Sequence, residues 1–201
     1  MLPNVLQYPV AMAAALRGGY TIVNVNPLYT PHELEHQLND AGAETIIIFG
    51  GSTPTLAEVI DRTPVKTVIT ADLGDAVGLP IPSPKADPRL TNNIRLADAL
   101  AEGAGLELDP VDLSGDDILF FQYTGGTTGL SKAAVLTHRN LVANTEQFKA
   151  FMPVAVKEGE EVLVTAIPLY HIFALMVSLA NLPGKFAGGL SGYLVEASSY
   201  A

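Results

Sequence analysis

The sequence predicts an α/β fold, a layered and mostly parallel sheet with helices on its flanks. Three observations carry that expectation. Short β-rich runs alternate with helix-like stretches along most of the chain, the pattern of strand–helix–strand units. One run, Ile46-Ile47-Ile48, is continuously apolar, as in a strand buried on both faces. The chain also has 201 residues, 48% hydrophobic and 16% charged, far from the composition of a disordered chain. A chain of that length can bury on the order of 70% of its extended surface.

In order, Gln7–Arg17 is alanine-rich and reads as a helix stopped by Gly18-Gly19. Tyr20–Val25 alternates like a strand and is broken by Asn26-Pro27. Thr30-Pro31-His32-Glu33 is a capping box with Pro at the first helical position, so a helix runs to Ala41 and ends at Gly42. Strand Thr45–Phe49, helix Thr55–Asp61 and strand Lys66–Thr70 follow. From Gly74 to Asn93 four prolines (Pro80, Pro82, Pro84, Pro88) predict an extended surface loop. After it come a short helix near Leu96–Ala101, strands Ile118–Tyr123 and Ala133–Thr137, and a helix Arg139–Met152 capped by Thr137. His138 is expected to cap or pack there. Val162–Pro183 carries no charge, but Pro168 and His171 interrupt it. Strand Val162–Ile167 and a buried helix Ile172–Leu182 fit better than a membrane span.

Composition excludes several functions. Eleven basic against 21 acidic residues give a net charge of −10, with too few Lys and Arg for general nucleic-acid binding. The absence of cysteine excludes disulfides, thiolate metal sites and a Cys nucleophile. The first nine residues lack a basic stretch and hold Pro3 and Pro9, so no signal peptide is expected.

The most informative window is Tyr123-Thr124-Gly125-Gly126-Thr127-Thr128-Gly129-Leu130-Ser131-Lys132. Its glycines let backbone N–H groups approach an anion, its threonines add hydroxyl donors, and Lys132 adds the positive charge. The pattern suits a triphosphate. It is not a Walker A loop, in which Gly precedes and Ser or Thr follows the Lys and a helix comes next. Here Ser131 precedes, Ala133 follows, and a strand comes next. A plain hairpin loop is the bland alternative.

This window resembles the phosphate-binding signature of the adenylate-forming enzymes. Asn24-Val25-Asn26-Pro27-Leu28-Tyr29-Thr30-Pro31, Leu136-Thr137-His138-Arg139-Asn140 and Pro168-Leu169-Tyr170-His171-Ile172-Phe173 are similar to bacterial long-chain fatty acid–CoA ligases. The resemblance implies the large N-terminal domain of that family, in part, over 1–182, with a divergent tail at 183–201. It implies ATP and Mg²⁺, a long-chain fatty acid and CoA: an acyl-adenylate forms, pyrophosphate leaves, and the CoA thiol displaces AMP. Thr124, Gly125, Gly126, Thr127, Thr128, Gly129 and Lys132 would hold the β/γ-phosphates, and Thr124 would reach Mg²⁺. His171 would be the catalytic-site histidine orienting the acyl carboxylate, with Tyr170 beside it in the substrate pocket.

Two departures accompany the resemblance. Ala133 follows Lys132 where the family favours Gly. The family's adenine and ribose contacts, the acidic Mg²⁺ residue and the C-terminal lysine domain have no counterpart in these 201 residues. The chain is therefore expected to bind nucleotide weakly at most. The competing reading is a truncated or frame-shifted remnant without a ligand. The expected location is cytoplasmic or peripheral on the inner membrane face, with self-association wherever apolar surface is left open. His32-Glu33-Leu34-Glu35-His36 also spells HExxH, with Glu58 as a conceivable third ligand. The capping role of Glu33 and the family match favour a structural His pair over zinc.

Overall fold

The computed structural model of the protein describes residues 1–75, 78–125, 130–151 and 166–180. Two three-stranded sheets organise them. In the first, β1 (Ile22–Val23) lies parallel to β5 (Ile118–Thr124), and β5 pairs antiparallel with β6 (Lys132–Thr137). In the second, β2 (Thr45–Phe49), β3 (Thr67–Ala71) and β4 (Ile94–Arg95) are all parallel. The helices are α1 (Gln7–Arg17), α2 (Pro31–Ala41), α3 (Thr53–Ala57), α4 (Leu96–Gly103), α5 (His138–Phe151) and α6 (Ile172–Ala180). The mostly parallel α/β class is the one the sequence predicts.

Helices pack on the sheets through two core clusters, and one of them joins the sheets, since it holds Ala71 of β3 beside Leu119 and Phe120 of β5. Leu34 and Leu38 of α2 pack with Ile46 and Ile48 of β2 and with Leu56 and Val59. Met12 and Leu16 of α1, Leu119 and Phe120 of β5, Leu141 of α5 and Leu175 of α6 form the other. Burying a Leu or Phe side chain contributes about 1.5–3 kcal/mol, so these contacts, more than helix propensity, hold the helices on the sheets.

Helix α2 begins as its sequence predicts. The Thr30 hydroxyl accepts from the Glu33 N–H, and the Glu33 carboxylate accepts from the Thr30 N–H at 2.8 Å. It ends at Gly42 with φ 63°, a left-handed conformation that glycine adopts without a Cβ clash. Helix α5 starts with a related exchange. The Thr137 hydroxyl accepts from the Asn140 N–H at 3.3 Å, and Asn140 Oδ1 accepts from the Thr137 N–H at 2.9 Å.

Several boundaries differ from expectation. Tyr20–Val25 shrinks to Ile22–Val23, because only those two residues find partners on β5, opposite Phe120 and Phe121. The expected helix Thr55–Asp61 is α3, begun two residues earlier with Pro54 in its first turn, plus a separate 3-10 turn at Ile60–Arg62. Strand β4 was not anticipated; two exposed residues carry no alternation to find it by. The segment 74–93 forms no regular element up to its end where described, as expected, yet Leu90 is buried in the core beneath α3. Pro84 closes on Gly50 so tightly that a Cβ there would overlap the Pro84 carbonyl oxygen. Of the expected strand Val162–Ile167, residues 162–165 lie outside the described residues, and Ala166 and Ile167 are not in a strand. The tail 183–201 also lies outside them. No described helix is long and apolar enough to cross a membrane.

Candidate functional site

Strand β5 is the spine of the site. It is central in its sheet, and in Ile-Leu-Phe-Phe-Gln-Tyr-Thr the buried polar Gln122 stands out among apolar neighbours. At its end Thr124 lies opposite Lys132 in the ladder, so the hairpin brings the two ends of the glycine-rich loop together. Both side chains are exposed at the mouth. A Cβ at Gly125 would meet nothing within 4 Å among the described residues. Gly126, Thr127, Thr128 and Gly129 lie outside the described residues. Lys132 opens a strand and not a helix, as the departure from Walker A requires. Ala133 sits in that strand opposite Tyr123, and no described non-glycine residue has a positive φ. Its Cβ therefore carries no backbone strain.

The second segment is the turn before α6. His171 N–H closes it on the Pro168 carbonyl at 2.9 Å, and His171 itself is exposed. Side chains from three other parts of the chain hold this turn. Asn4 donates to the Ile167 carbonyl at 3.1 Å and accepts from the Leu169 N–H at 2.7 Å. The Tyr8 hydroxyl lies 3.0 Å from the Leu169 carbonyl and 2.7 Å from Asn24 Oδ1. Asn24 donates to Gln122 Oε1 at 3.0 Å, and Gln122 donates to the Tyr170 carbonyl at 3.3 Å. Gln37 of α2 closes the network on the Asn24 carbonyl at 2.9 Å. Burial pushes the Tyr8 phenol pKa far up, so it remains a protonated donor.

The structure thus joins Thr124 to Lys132 directly, and joins the Tyr170–His171 turn to β5 two residues before Thr124. Tyr29 stands near both segments. Its phenol pKa is raised by burial, by Glu33 and by Tyr170, and it in turn contributes to the raised value at Tyr123. Sequence reasoning missed Asn4, Tyr8, Asn24 and Gln122. The one local signal was a glutamine inside an apolar strand.

In the HExxH stretch, Glu33 is engaged by the capping box and His36 Nε2 lies 3.1 Å from the Ser131 carbonyl. Among the described residues no three His, Asp or Glu are grouped to hold a metal ion. His138 is buried, as a packing residue, and its Nδ1 has no hydrogen-bond partner among the described residues. Beside the site, Phe120, Leu136, Ile172 and Phe173 line an open apolar cleft of about 510 Å³, with Asn140 and Asn144 at its side.

Residues 1–185 match the AMP-binding enzyme family. The chain is 46% identical over 189 residues to the long-chain-fatty-acid–CoA ligase of Escherichia coli O6:H1, covering 89% of this chain and 34% of that protein. It is 38% identical over 191 residues to the ligase of the same name from Haemophilus influenzae. Among solved structures, a long-chain-fatty-acid-CoA ligase from Archaeoglobus fulgidus superposes with a TM-score of 0.67 at 27% identity, covering 90% of this chain and 32% of that one. The chain spans about a third of the length of the curated relatives it matches. With a family match over nearly its whole length, and a glycine-rich hairpin and a histidine turn assembled on one strand, the chain belongs to the AMP-binding enzyme family.

Proposed function

We propose that this chain supplies the phosphate-gripping part of an ATP-dependent ligase that activates long-chain fatty acids. In that reaction a fatty acid carboxylate oxygen bonds to the α-phosphorus of ATP and pyrophosphate leaves. The CoA sulfur then bonds to the acyl carbon and AMP leaves. The observation that carries the reading is the in-register pairing of Thr124 with Lys132, which brings the two ends of the glycine-rich loop together. The long-chain ligase relatives at up to 46% identity support the acyl substrate.

The residues divide the work by chemistry. Backbone N–H groups of Thr124–Gly129 and the threonine hydroxyls donate to the β- and γ-phosphate oxygens, and the Lys132 ammonium offsets their charge. Mg²⁺, when present, adds charge stabilisation at the phosphates and is normally held mainly by phosphate and water oxygens. The Thr124 hydroxyl would supply it one oxygen ligand, in keeping with a site that shows no metal-binding cluster of carboxylates among the described residues. His171 on its braced turn orients the acyl carboxylate, and Tyr170 flanks it. Positioning and charge stabilisation act as a unit in such reactions, so this stretch by itself is expected to bind phosphate without acyl transfer.

Calorimetric titration of the chain with inorganic pyrophosphate tests this. A charge-assisted contact contributes about 1.5–3 kcal/mol, reduced here because Lys132 is exposed, so Lys132→Ala is expected to weaken binding by about tenfold. Equal binding by wild type and variant, or binding by neither, overturns the proposal and favours a remnant without a ligand.

A further inference from the structure

We propose that helix α2 is the clamp that sets the mouth of the glycine-rich loop, with His36 and Asp40 as positioning residues. The two stand one helical turn apart and so share a face of α2. One bond is made to β5 and the other to the residue that leads into β6. The Tyr123 hydroxyl donates to Asp40 Oδ2 at 2.5 Å, on the residue immediately before Thr124. His36 Nε2 meets the Ser131 carbonyl at 3.1 Å, on the residue immediately before Lys132. A carbonyl oxygen only accepts, so this contact requires the proton on Nε2. The β5–β6 ladder ends at the Thr124–Lys132 pair, so these bonds lie where a hairpin would otherwise fray.

The clamp is itself fixed. Helix α2 is capped by Thr30 and Glu33, closed at Gly42, and buried along Leu34, Gln37 and Leu38. Gln37 ties it to the Asn24 carbonyl behind the histidine turn. The sequence reading left His36 as half of a structural histidine pair. Its position assigns it the spacing between the Thr124 hydroxyl and the Lys132 ammonium. This role rests on the proposed phosphate binding by that loop.

Amide hydrogen exchange over 123–135 without ligand, and pyrophosphate titration, test the clamp on the intact chain. His36→Phe keeps a ring but no donor; His36→Gln restores a side-chain N–H. His36→Phe is expected to speed exchange at the mouth, and to weaken pyrophosphate binding, by about 2- to 12-fold, the worth of one hydrogen bond. His36→Gln is expected to recover most of both. Tyr123→Phe, which frees Asp40, gives a second route to the same loosening if His36→Phe folds poorly. Unchanged exchange in both donor-less variants overturns the clamp. Faster exchange with unchanged pyrophosphate affinity overturns its positioning role. Absence of binding by wild type overturns the phosphate-loop reading and, with it, the role of His36 in binding. Exchange then still decides whether α2 holds the hairpin.

Discussion

Tyr8→Phe removes one oxygen and tests whether the buried network holds the histidine turn. The Tyr8 hydroxyl sits between Asn24 Oδ1 at 2.7 Å and the Leu169 carbonyl at 3.0 Å. Both are acceptors, and the hydroxyl has one proton to share between them. Asn24 is buried, and its amide nitrogen is already committed to Gln122, so its oxygen would lose this donor without gaining water. A buried acceptor left unmet costs about 1–3 kcal/mol. Phe fills nearly the same volume, so little cavity cost is added. At about 2–4 °C per kcal/mol for a chain of this size, the melting temperature should fall by about 2–12 °C. The loss should also be local. The Leu169 amide, bonded to Asn4, and the His171 amide, bonded to Pro168, should exchange faster than amides of α2. A melting temperature within about 1 °C of wild type, with Leu169 exchange unchanged, would refute the network as the brace of the turn.

Two further outcomes follow from single residues. Burial holds the His138 pKa below its ordinary value, against a smaller opposing effect of Asp117. The unfolded chain therefore takes up a proton near pH ~6.5 before the folded chain does, so stability should fall as pH drops from about 7 toward the folded pKa. Thermal melts across that range should show a slope that His138→Leu flattens; an equal slope in the variant would count against it. Gly50→Ala should force the Pro84 segment away and disturb the bond from the Asp87 N–H to Thr53 at 2.8 Å. The cost should be about 1–3 kcal/mol by denaturant unfolding. Gly103→Ala, which meets open space, should cost little, and equal effects at the two sites would contradict the packing.

What the sequence by itself determined was local or periodic. Thr30 and Glu33 are three residues apart, so their capping box forms within one turn and is visible in the string. Ile46-Ile47-Ile48 is apolar because β2, an edge strand of its described sheet, sends Ile46 and Ile48 into one core cluster and half-buried Ile47 against the other, and hydrophobicity records burial. The glycines and threonines between β5 and β6, with Lys132 opening β6, mark a loop because their conformational and charge properties belong to each residue. Only the tertiary structure decided which distant residues serve that loop and turn. Ser131 lies 95 positions from His36, Tyr123 lies 83 from Asp40, and Leu169 lies 161 from Tyr8. Nothing in the local pattern around His36 separates a clamp on a carbonyl from half of a metal site. The length of β1 was likewise set by partners, since a strand persists only where a neighbour supplies its hydrogen bonds, and β5 supplies them to Ile22 and Val23. Hydrogen bonds across such separations depend on how the sheets and helices pack, and packing is a property of the whole chain.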